Sequence, residues 1–143
     1  MAAIIEKMQR DLGRFGEATL RASWQVGQLG DMDNEILVDI DEVTRTMENK
    51  ALAVESIEWT KGLNMEVRIE FDSTPPKPES TILALPGGEL NGSTNFTDSL
   101  NGCWPDPNRP TGGNIVVNTT GALQSDELWI RLNFRVKGTH APG

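Results

Sequence analysis

The side chains in this chain with the clearest ligand-binding spacing are acidic. Asp31, Asp33, Glu35, Asp39 and Glu42 occupy positions 1, 3, 5, 9 and 12 of a twelve-residue stretch, the pattern in which an EF-hand loop presents oxygen atoms to calcium. The sixth position is Ile36, where the sharp turn of such a loop demands Gly. Ile36-Leu37-Val38-Asp39-Ile40 also reads as strand, and no helix pair flanks it. The expectation is an acidic turn leading into a strand, with no metal site.

Catalytic groups are scarcer still. The one His, His140, sits in a Gly-Thr-His-Ala-Pro-Gly tail, the one Cys, Cys103, has no His or basic cluster beside it, and there is no Tyr. A thiol without such neighbours is not activated as a nucleophile, and a single Cys cannot form an internal disulfide or a four-ligand zinc site. Gly87-Gly88 and Gly112-Gly113 lack the Lys-Ser/Thr of a P-loop and the third Gly of a dinucleotide fingerprint, so they read as turns. Residues 31–70 hold eleven acids against four bases, so no single carboxylate pair stands out for acid–base work. The reading is a protein that is not an enzyme and needs no cofactor.

Trp24, Trp59, Trp104 and Trp129 are the remaining distinctive side chains. Three lie in alternating stretches, where core packing is the expected role. Trp104, followed by Pro105 in a loop, reads either as a plug under that loop or as a surface anchor at an interface, a common role for a large aromatic in a loop. Aromatic side chains on a β-sandwich also make platforms for sugars, so a carbohydrate-binding module is a rival reading.

A chain of 143 residues with net charge −8 is long enough to bury its own core as one domain. The acidic stretch 31–70 carries −7 of that charge; it repels phosphate backbones, so nucleic acid is not an expected partner. No stretch approaches the ~20 apolar residues of a membrane span, and the N-terminus lacks the apolar core of a signal peptide. The expectation is a soluble protein made in a cytoplasm.

The elements that must position these residues are mostly strands. Ile4, Ile5, Met8, Leu12 and Phe15 recur at spacings of three and four, which predicts a short amphipathic helix over residues 1–17, either packed on its own domain or acting as an arm that docks on a neighbouring subunit through Ile4, Ile5, Met8 and Leu12. Residues 18–143 form the expected single β domain. Alternation predicts strands over 19–26, 35–40, 54–60, 65–71, 82–85, 114–120 and 127–136, and Lys61-Gly62-Leu63-Asn64 signals a hairpin between the third and fourth. Prolines at 75, 76 and 78 break the sheet. The Asn-, Gly- and Pro-rich region at about 87–113 predicts a long ordered loop anchored by Leu90, Phe96, Leu100 and Trp104.

Residues 54–138 resemble a group of small virion structural proteins of tailed bacteriophages, especially marine podovirus-like ones. The resemblance rests on Ile57-Glu58-Trp59 in one strand and on Glu70-Phe71-Asp72-Ser73-Thr74 closing the next. It continues through Thr111-Gly112-Gly113-Asn114-Ile115, with Asn114 where an Asp is usual, and ends in the basic alternating strand from Trp129 to Lys137. It implies an all-β fold, an antiparallel β-sandwich of jelly-roll or Ig-like type; the short N-terminal helical arm expected from the apolar spacing is not a feature of that group. It further implies a capsid decoration or cement protein located on the virion, contacting the major capsid protein or other virion proteins. Such proteins form homo-oligomers, often trimers at local threefold axes; a neck or tail component is the alternative within the same class.

Overall fold

A computed structural model describes residues 3–12, 15–25, 30–42, 47–72, 80–96, 104–105 and 113–140. They form two antiparallel sheets. Sheet A contains β1 (Ile4–Leu12), β2 (Phe15–Ser23), β10 (Glu127–His140), β4 (Met47–Lys61) and β7 (Asn91–Asn95) in that spatial order, with β8 (Trp104–Pro105) also paired to β4. Sheet B runs β3 (Glu35–Val38), β9 (Ile115–Thr120), β5 (Glu66–Phe71), β6 (Thr81–Leu85). The helical structure among the described residues is of 3-10 type, at Ile40–Glu42 and at Ser80.

Alternation sets the faces. In β10, Leu128, Ile130, Leu132, Phe134 and Val136 are buried, and Trp129, Arg131, Asn133 and Arg135 between them are half-buried. Leu20 and Ala22 of β2, Leu52, Val54 and Ile57 of β4, Val67 and Ile69 of β5 and Ile115 and Val117 of β9 join the same cluster, so the inward faces of both sheets share one apolar core. Where a residue and its cross-strand neighbour compete for core space, glycine yields. A Cβ on Gly92 would stand 2.6 Å from the Trp59 ring directly across from it.

The N-terminal segment corrects the helical expectation: residues 4–12 are strand β1, not a helix. β1 pairs with β2 over nine residues, Ile4 opposite Ser23 through Leu12 opposite Phe15. Spacings of three and four predict a helix of about three turns, which is marginal on its own in water and has Gly13 near its end. Continuing a sheet already built from β2, β10 and β4 pairs the backbone of alternate β1 residues with β2 and lets Ile5 pack against the core. The expected division after residue 17 therefore falls inside β2.

The expected hairpin between residues 54 and 71 is also corrected. β4 belongs to sheet A and β5 to sheet B, so Gly62 to Met65 carries the chain across the core. Both strands present one apolar face, which suits a hairpin and a crossing equally. The choice goes to the crossing because β10 and β7 flank β4 while β9 and β6 flank β5. Residues 86–90, from β6 to β7, and 121–126, from β9 to β10, cross at the same end. Gly88 N donates to Leu63 O at 2.6 Å and Lys61 N to Leu90 O at 2.8 Å.

Residues 47–53 extend β4 to fifteen residues. The expected loop at 87–113 contains β7 and β8, both hydrogen-bonded to β4. Within it, Phe96 packs against the core and Leu90 does not; Leu100 lies outside the described residues.

Candidate interaction surface

Three of the five acids at calcium-loop spacing, Asp31, Glu35 and Asp39, are engaged within the fold. The Asp31 carboxylate accepts from Thr119 Oγ1 (3.1 Å), Gly121 N (3.2 Å) and Ala122 N (2.9 Å), tying the approach to β3 to the β9–β10 crossing. Glu35 pairs with Lys7 at 2.8 Å, and the Asp39 carboxylate accepts from Asp41 N at 3.0 Å. Among the described residues no three His, Cys, Asp or Glu side chains are grouped to hold a metal ion. Cys103 lies outside the described residues.

Among the described residues, the exposed large apolar side chains other than Ile36 of β3 lie in two places. One is the end where the crossings meet. Leu63, Leu90 and Leu123 are 50%, 53% and 54% exposed, each on a different crossing. Those crossings are short and internally bonded: Lys61 Nζ donates to Met65 O at 2.8 Å and to Gly62 O at 3.3 Å, while Asp126 accepts from Leu123 N at 2.8 Å. Lys61 is almost fully buried. Desolvation holds its ammonium below the ordinary lysine value, with Glu89, Asp126 and Glu66 pulling the other way.

The other place is the β1 side of sheet A. Ile4 and Met8 are 45% and 48% exposed, and Phe15 across from Leu12 is 46% exposed with the Arg135 guanidinium 5.6 Å from its ring centre. Ile5 faces the other way and is partly buried. The contact residues expected from sequence are thus divided, with Ile4 and Met8 outside and Ile5 inside. The side chains of Leu12 and Trp104 lie outside the described residues, although the backbone of Trp104 pairs with Val54.

Sheet A's outer face carries ordered polar rows. Arg131 Nε lies 3.1 Å from Glu17 and Arg135 Nε 3.1 Å from Glu55. These partly buried pairs link side chains across neighbouring strands. Trp129 lines a depression of about 460 Å³ on this face with Ile4, Glu6, Arg21, Thr60 and Glu127. It is therefore not the core residue its alternating strand suggested. The phase of β10 carries the missed signal: five aliphatic or Phe residues occupy the even positions, so odd Trp129 faces outward. The exposed leucines leave a fainter signal, each being a lone Leu beside turn-forming or polar residues.

No protein-family model matches the chain, and no curated protein matches it. Its surface must be interpreted from its own residues.

Proposed function

We propose that this protein is a structural component of a tailed-phage particle, a decoration or cement protein that stabilises the shell by bridging capsid subunits. The observation that carries the reading is the crossing end: three leucines, each about half exposed, held out on short connections over a packed two-sheet body. Apolar side chains displayed on a rigid base suit docking to another protein, because little ordering entropy is lost on contact. The all-β architecture is of the kind expected for the virion proteins that residues 54–138 resemble, and a β-sandwich of jelly-roll or Ig-like type is part of the same proposal.

Quantitative mass spectrometry of purified phage particles from the source of the sequence tests it. Copies in a fixed ratio to the major capsid protein support the decoration role, and replacing Leu63, Leu90 and Leu123 together by Ser should abolish occupancy. About six or twelve copies per particle would move the protein to the neck or tail. Absence from particles would overturn the proposal.

The Trp129 depression favours a second reading, recognition of a glycan. A partly buried indole beside Arg21, Glu6 and Glu127 offers a sugar an apolar face and charged hydrogen-bonding groups. Oligosaccharide-dependent quenching of Trp fluorescence that is lost in Trp129→Ala would establish it, and no quenching across a glycan panel would remove it.

A further inference from the structure

We propose that β1 is a self-association edge: two copies pair their β1 strands antiparallel about a twofold axis through Met8, joining both A sheets into one continuous sheet. This inference rests on β1 alone and holds whether or not the protein belongs to a phage particle.

The edge has backbone groups to offer. β1 has β2 on one side and no strand among the described residues on the other. Trp24 N donates to Asp126 O and Trp24 O accepts from Ser125 N, so even-numbered residues of β2 direct their backbone groups to β10 and odd-numbered ones to β1. Through the β1–β2 register, residues 4, 6, 8, 10 and 12 bond back to β2, leaving Ile5, Lys7, Gln9 and Asp11 with N–H and C=O directed outward. β3, the neighbouring edge of sheet B, is closed instead. The Gln9 amide bonds both Asp39 O (3.0 Å) and Asp39 N (2.8 Å), and Lys7 Nζ donates to Ile36 O at 3.0 Å. The inward Lys7 and Gln9 are therefore committed to β3 and do not guard the β1 edge.

The sequence of β1 complements itself in one register. With Met8 opposite Met8 of a second copy, Lys7 faces Gln9 and Ile5 faces Asp11 in the hydrogen-bonded pairs, which matches the outward backbone groups. Glu6 then faces Arg10, twice by symmetry, in the non-hydrogen-bonded pairs where side chains approach most closely. A slip of the twofold axis to Lys7 sets Glu6 against Met8 and Ile4 against Arg10. A slip to Gln9 sets Met8 against Arg10. Both slips lose the two charge pairs and bring charge against apolar groups. Glu6 and Arg10 are exposed, and neither is ion-paired with a described residue of its own chain.

Sedimentation equilibrium of the full chain with charge-swap variants tests this. The wild type is expected to dimerise. Glu6→Arg or Arg10→Glu alone should weaken dimerisation by about tenfold or more, since two symmetry-related pairs change sign, and E6R/R10E together should restore it. Circular dichroism checks that each exposed-site variant keeps the fold. A wild-type monomer or trimer at all concentrations, single variants that dimerise like wild type, or a double variant no better than the singles would each overturn the proposal.

Discussion

Gly16 lies directly opposite Phe134 in the β2–β10 ladder, and the Phe134 ring fills the space where a Cβ on residue 16 would stand. Phe134 is fully buried, so the ring has nowhere to retreat. Gly16→Ala should cost about 1–3 kcal/mol, the usual range for overpacking a tight core. The expected result is a lower urea midpoint with an unchanged denaturant slope.

Asp31 holds three donors on one carboxylate, so Asp31→Ala should destabilise the fold by about 1–3 kcal/mol through the unmet N–H and O–H groups it leaves. Added calcium should leave the wild-type Tm unchanged, because Asp31, Glu35 and Asp39 already have partners within the fold. Thermal unfolding with calcium and with chelator checks this.

Gln9 imitates a strand by bonding both backbone groups of Asp39. Gln9→Leu keeps a similar volume and removes both bonds, with an expected loss of about 1–2 kcal/mol. Hydrogen exchange at the Asp39 amide should accelerate more than exchange in β10.

Lys61 gives stability a pH dependence. Its folded pKa lies below the ordinary 10.5 because burial disfavours the ammonium. Between that lowered value and 10.5 the unfolded chain holds more protons than the folded one, so stability rises with pH in this window. Below the window the cost of the buried charge is fully present. Urea midpoints measured at increasing alkaline pH should show this rise in the wild type and lose it in Lys61→Met.

Sequence alone determined the strand character of β3, β5, β6, β9 and β10 and, through alternation, which of their residues turn inward: Leu128, Ile130 and Leu132 declare their face because a period of two leaves only one buried side. It also carried, in the phase of β10, the outward position of Trp129. Tertiary structure decided the partners. Residues 4–12 have apolar spacing for a helix, yet β2 offers a nine-residue ladder that no isolated short helix can match. Lys61 to Met65 has the composition of a hairpin, yet the flanks of β4 and β5 belong to other strands. Strand pairing between distant segments is fixed by the whole core at once, so local pattern shows that a strand forms and which face it buries, while its neighbour depends on contacts spread across the chain.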